Sequence, residues 1–198
     1  MSSARRCLLL IALYVPPPLV VSVMAQKQTP PAPRKLSLSA ALVLTPEFCA
    51  TVNKKGHEAF LGGSEKFPVG KTACNELEPV LKEIFTSLTR VDDSSKAGDA
   101  QVVLEPSFAD VGATQRAFAF SNRELVVLVE WTVRDQSGKV VWLETAQGSA
   151  KRHIGNAFTH GNNLKHIVED SVRDMAEQSA AKMSSAPQLL KLSAQPVK

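Results

Sequence analysis

Residues 124–149 constrain the fold more than any other stretch. They read Glu124-Leu-Val-Val-Leu-Val-Glu-Trp-Thr-Val-Arg134, then Asp135-Gln-Ser-Gly138, then Lys139-Val-Val-Trp-Leu-Glu-Thr-Ala-Gln-Gly-Ser149. Two β-rich runs flank a short turn. Leu125, Val127, Val129, Trp131 and Val133 alternate onto one face of a strand. Valine and tryptophan suit a pleated, half-buried surface. The other face carries Glu124, Val126, Leu128, Glu130 and Thr132, and is mixed. Ser137-Gly138 supplies the turn, because glycine takes positive φ at no steric cost. The return strand, Val140 to Ser149, includes Val141, Trp142 and Leu143, but its register depends on the turn type and stays open. A two-stranded hairpin is marginal in water. The rest of the chain must supply more strands and a helical cover.

Leu36, Leu38, Ala40, Leu42 and Leu44 share a face of a first strand that Pro46 stops. Residues 45–70 form a long connection. A helix over Lys71 to Leu88 is expected from the stripe Ala73, Leu77, Leu81, Ile84, Phe85 and Leu88, with Pro79 kinking it or shifting its start. Residues 90–100 read as polar loop. Gln101 to Val111 reads as a strand in which Pro106 marks an edge or a bulge. After the hairpin, Asn162 caps a last helix with Leu164, Ile167, Val168, Val172, Met175 and Ala176 on its apolar side. The expected order is β-α-β-β-β-α: an α+β domain with a four-stranded, largely antiparallel sheet and two helices on one face. Val126 and Leu128 then point to an open face, which implies oligomerisation or a partner strand or sheet.

Residues 1–25 read as a secretory signal peptide. Arg5 and Arg6 precede an apolar run, and Val23-Met24-Ala25 approximates a small-x-small cleavage site. A retained membrane anchor is the alternative, against which Pro16-Pro17-Pro18 argues. Cys7 directly follows the two arginines, with no small-residue box before it, which argues against lipidation there. Of 23 basic residues, 21 remain after Arg5 and Arg6 are removed, against 19 acidic ones, a net charge of +2. That is too mild to argue for nucleic acid. Residues 26–35 are a Pro-rich linker, residues 36–183 the domain, and residues 184–198 a disordered tail. Export leaves Cys49 and Cys74 as an even pair in an oxidising compartment. A bridge between them contributes about 3 kcal/mol in the chain-entropy model.

No catalytic motif stands out. Gly63-Ser-Glu-Lys-Phe-Pro-Val-Gly70-Lys71-Thr72 ends like a P-loop but has six residues between its glycines, with Glu65 where the first glycine belongs. Asp92-Asp93 opens no calcium loop, since Lys96 interrupts the pattern. His153, His160 and His166 lack zinc spacing. Glu130 and Glu144 could meet across the hairpin as an acid/base pair, or both face solvent. The expectation is therefore no enzyme, no metal and no cofactor. Arg116-Ala-Phe-Ala-Phe-Ser-Asn-Arg123 places Phe118 and Phe120 on one face between two arginines, which suits an anionic amphiphile or a protein partner. Two core phenylalanines at a strand start are the plainer alternative.

The exported N-terminus, the element order, the turn Val133-Arg134-Asp135-x-x-Gly138 and the terminal helix Ile167-Val-Glu-Asp-Ser-Val-Arg-Asp-Met-Ala-Glu177 resemble small bacterial outer-membrane-associated lipoproteins. The nearest are the lipopolysaccharide-assembly lipoprotein and its YajG-like relatives, over about residues 36–183. The resemblance implies a helix-covered sheet, a periplasmic or outer-membrane site, and a role as chaperone or plug in envelope assembly. It implies ligand contact by basic residues near a strand end, for which Arg116 and Arg123 are the matching positions. The chain departs from the pattern in lacking a lipidation cysteine and in having the Cys49/Cys74 pair. The expected function is thus a periplasmic or secreted accessory that binds an envelope protein or a lipopolysaccharide-like amphiphile. Its candidate contacts are Arg116, Phe118, Phe120, Arg123, Val126 and Leu128, with a homo-oligomer through the open face as one outcome. The rival from another class is a periplasmic hydrolase or metal-dependent enzyme.

Overall fold

The structure is a computed structural model that describes residues 34–52, 67–114, 122–153 and 160–195. The strands are β1 (Leu36–Val43), β2 (Phe85–Val91), β3 (Val102–Thr114), β4 (Asn122–Asp135) and β5 (Val140–His153). The helices are α1 (Pro46–Cys49), α2 (Val69–Lys82), α3 (His160–Ser185) and α4 (Pro187–Ser193), with a 3-10 turn at Ser94–Lys96. The expected signal peptide and nearly all of the expected Pro-rich linker lie outside the described residues.

The sheet has five strands in the order β2-β1-β3-β4-β5. β1 runs parallel to both β2 and β3, while β3-β4-β5 is an antiparallel meander. It is therefore a mixed sheet, where four largely antiparallel strands were expected. The strand missing from that expectation is β2. Ile84, Phe85 and Leu88 continue the three-and-four spacing of α2, so periodicity alone extends the helix through them. The β-branched Thr86, Thr89 and Val91 decide otherwise, and α2 ends at Lys82. Pro79 stands exposed in the last turn of α2.

Pro106 has a clear reason for its place. β1 pairs with β3 only over Val102–Leu104. Beyond Leu104, no described strand pairs with that side of β3, so the missing amide of Pro106 interrupts no ladder. A register shift follows between Phe108 and Asp110.

One sheet face is the core. Leu125, Val127, Val129, Trp131 and Val133 of β4 are all buried there, as are Leu36, Leu38, Ala40 and Leu42 of β1. Helix α3 lies across β4 and β5 and packs against α2. It can approach because Gly148 has no side chain. A Cβ at that position would sit 2.6 Å from the Met175 Cβ, and nearer still to the Ser171 carbonyl and the Met175 amide. The indole N–H of Trp131 donates to Ser179 Oγ at 2.9 Å, and that hydroxyl donates to the Met175 carbonyl at 2.8 Å. This satisfies the one polar atom of a fully buried tryptophan.

Gly70 does the same for α1 and α2. A Cβ there would meet the Thr51 amide at 2.7 Å and the Cys49 carbonyl at 2.8 Å. That approach accompanies the Cys49–Cys74 disulfide, with 5.7 Å between the Cα atoms, joining α1 to α2 as the cysteine count implied. Phe48 of α1 stacks on Phe108 of β3 with ring centroids 4.5 Å apart. The C-terminal stretch differs from the expected disordered tail. Residues 184 and 185 complete α3, and Pro187 opens α4 at its first turn, where proline is tolerated. Leu189 is buried, and Ser193 Oγ accepts from the Ser37 amide at 2.7 Å.

Gly148→Ala is expected to destabilise the domain by about 3 kcal/mol, since backbone must move to admit one methyl group. Gly112→Ala, where a Cβ meets nothing within 4 Å, should stay within ~0.5 kcal/mol. Urea unfolding midpoints of the two variants check this. Reducing the disulfide should lower stability by about 3 kcal/mol, measured on the same unfolding curves with and without reductant.

Candidate functional site

The second sheet face is the candidate site, and the register now defines it. Val126 of β4 lies between Gly112 of β3 and Ser149 of β5. Leu128 lies between Asp110 and Gln147, and Thr132 between Glu105 and Leu143. The described helices pack against the core face, where Phe108 stacks on α1 and Arg90 donates to the Cys74 carbonyl of α2 at 3.1 Å. Val126 and Leu128 are half-buried, and Leu143 is 58% exposed. Ser107, Glu130, Thr145 and Gln147 intersperse polar groups among them. Among the described residues the surface is thus a chequer of apolar and polar side chains.

One end of this face carries a bowl of about 580 Å³ whose lining includes Ser94, Gly98, Val103, Glu105 and Arg134. Arg134 Nε donates to Glu105 Oε2 at 3.0 Å, and Nη1 donates to the Gly138 carbonyl at 3.2 Å. The hairpin turn beside it is built on Asp135. Its Oδ1 accepts from Ser137 Oγ at 2.6 Å, the Ser137 amide at 2.9 Å and the Lys139 amide at 3.1 Å, while Gly138 takes φ 79°. The Ser137 hydroxyl, followed by the backbone amides, holds the Asp135 carboxyl below the usual carboxylate range.

The sequence-predicted groups fall out as follows. Arg116, Phe118 and Phe120 lie outside the described residues. Arg123 stands near the start of β4 opposite Arg152 of β5. Glu130 pairs with Thr145 on the open face, whereas Glu144 pairs with Trp131 on the other face. The two carboxylates therefore project from opposite sides of the sheet, and Glu144 binds Lys182 at 3.1 Å. The P-loop-like glycine Gly70 donates its amide to the Thr51 carbonyl at 3.0 Å, so that amide is committed within the fold. Asp93 caps the 3-10 turn through the Ser95 amide at 2.7 Å, and Asp92 pairs with Lys96 at 2.7 Å. His166 Nδ1 lies 3.1 Å from Glu169, while His153 ends β5 and His160 begins α3. Among the described residues no group of three or more His, Cys, Asp or Glu is placed to hold a metal ion.

Leu143 was not legible as an exposed residue. Its face depends on one extra residue, Val141, in β5 where the register shifts between Val133 and Arg134. No local pattern announces such a bulge.

The fold is shared with solved structures. A Xanthomonas campestris protein, XCC0632, assigned to the family DUF330, superposes with TM-score 0.54 at 8% identity, over 76% of this chain and 86% of that one. A minor lipoprotein from Acinetobacter baumannii superposes with TM-score 0.50 at 12% identity, over 76% and 93%. At such identities the likeness is one of fold. No family model matches the sequence, and no curated protein matches it. No helix among the described residues is long and apolar enough to cross a membrane.

Acid should loosen the hairpin turn locally. A carboxyl with a depressed pKa stabilises the fold above the ordinary carboxylate value, and that contribution is lost as pH falls through the lower, folded value. Amide exchange at Ser137 and Lys139, corrected for intrinsic pH dependence, should therefore accelerate only at strongly acidic pH. In Asp135→Asn the step should vanish.

Proposed function

We propose that the protein is a non-enzymatic accessory of the bacterial cell envelope that binds a protein partner through its open sheet face. The observation that carries this is the exposure of Leu143, with half-buried Leu128 and Val126 further along the same face, on a sheet face that none of the described helices covers. Uncovered apolar groups set among polar ones match the composition of a recognition surface better than that of a finished monomer exterior. Three features support the envelope. The fold is shared with a minor lipoprotein, residues 1–25 carry the pattern of an export signal, and the Cys49–Cys74 bridge suits an oxidising compartment. On this reading the domain works on the periplasmic or secreted side, associated with the outer membrane. The divergence of Glu130 and Glu144 weighs against the hydrolase alternative, since paired carboxylates must share a site to work as acid and base.

An anionic amphiphile is the second occupant worth separating. Arg123 and Arg152 are register partners at one end of the sheet, where Arg152 is paired with Asp170 of α3 at 2.6 Å. A photoreactive side chain at Leu128 or Leu143 tests the two together in the native host's envelope fraction. The proposal expects a discrete protein adduct from these positions, with none from exposed Lys71. It expects Leu143→Asp to weaken partner binding by about tenfold or more while leaving the melting temperature unchanged. Binding to anionic phospholipid vesicles with no protein adduct would replace the protein partner by the amphiphile.

A further inference from the structure

The outer edge of β5 is closed at two points by side chains of α3. The Ser149 amide donates to Asp174 Oδ2 at 2.9 Å. The Thr145 carbonyl accepts from Lys182 Nζ at 2.7 Å. Both groups point away from β4, because in an antiparallel ladder alternate residues turn their amide and carbonyl to opposite edges. Leu143, Thr145, Gln147 and Ser149 thus present backbone to the free edge. At the start of the strand, the extra residue Val141 interrupts the register, and a bulge twists an edge away from a flat pairing partner.

This edge has reason to be guarded. β5 is 14 residues long, and Leu143 and Val140, 58% and 42% exposed, adjoin a groove of about 540 Å³ beside the α3–α4 corner. A long edge flanked by exposed apolar groups is a template for another strand. The strand that fits is β5 of a second copy. Run two β5 strands antiparallel about a two-fold axis at Gln147. Thr145 then lies opposite Ser149 of the second copy, and the Thr145 carbonyl meets that Ser149 amide. The two groups that α3 now caps are the two that would bond each other. In this register Glu144 lies diagonal to Arg152 of the second copy, Leu143 faces Lys151, and no like charges oppose.

We propose that Asp174 and Lys182 hold shut a self-complementary edge on β5, whose partner when uncapped is β5 of a second copy of this chain. The caps act by occupying the hydrogen-bonding groups that the second copy needs. The inference stands apart from the accessory role, which concerns the open face.

Sedimentation of the mature protein against D174A/K182A, across a wide concentration range, tests it. The double variant should self-associate at least about tenfold more tightly than the parent, equivalent to about 1.4 kcal/mol. Amide exchange at Leu143 and Gln147 should slow in the associated form. Adding Gln147→Pro, which removes the central outward donor from an edge strand, should return the double variant to the parent's state. K182A alone leaves the Asp174 cap in place and should give a smaller shift in the same direction. If D174A/K182A folds and retains the parent's sedimentation across that concentration range, the proposal is overturned.

Discussion

Helix α3 rests its backbone directly on β5 at Gly148, and most of the architecture depends on that contact. Close approach there brings Val172, Met175, Ala176 and Ser179 down onto the valine-rich face of β4. It sets Ser179 where the Trp131 indole needs an acceptor. It also fixes which side chains of α3 reach round the sheet edge, Asp174 to Ser149 and Lys182 to Thr145. A bulkier residue at position 148 would lift the helix and weaken all of these together, because cores and buried polar networks tolerate little displacement.

The second constraint is covalent. Gly70 lets α2 meet α1, and the Cys49–Cys74 bridge joins them on either side of a long connection. Arg90 of β2 donates to the Cys74 carbonyl, with its other terminal nitrogen 3.8 Å from Cys49 Sγ. The parallel β1–β2 edge and the disulfide are therefore one packed unit. With the helices committed to one face, the other is left with half-buried Val126 and Leu128 and exposed Leu143.

Much of the fold was legible because alternation on a half-buried strand is a strong signal. The buried face of β4, the apolar face of β1 and the α3 stripe from Ile167 to Ala176 all lie where their patterns place them. The cysteine pair was legible through its even count once residues 1–25 are read as an export signal. β2 was not, because three apolar residues after a helix can extend its stripe or begin a strand, and the β-branched Thr86, Thr89 and Val91 outweigh that stripe only together with pairing to β1. α4 was not, because a short helix opening on Pro187 resembles a broken tail until Leu189 finds the core. The candidate site was legible only in part. Val126 and Leu128 followed from alternation, but Leu143 and the edge caps required a register that one bulged residue sets.

The central claim is that the described helices cover one face of this sheet and not the other. Hydroxyl-radical footprinting of the purified protein, at a concentration where it is monomeric, tests that claim most directly. The account predicts strong labelling of Leu143 and clear labelling of Leu128 and Val126, with Val127, Val129 and Trp131 protected. Equal protection of Leu143 and Val129 in the monomer would contradict it, since part of the chain itself would then cover the face assigned to a partner.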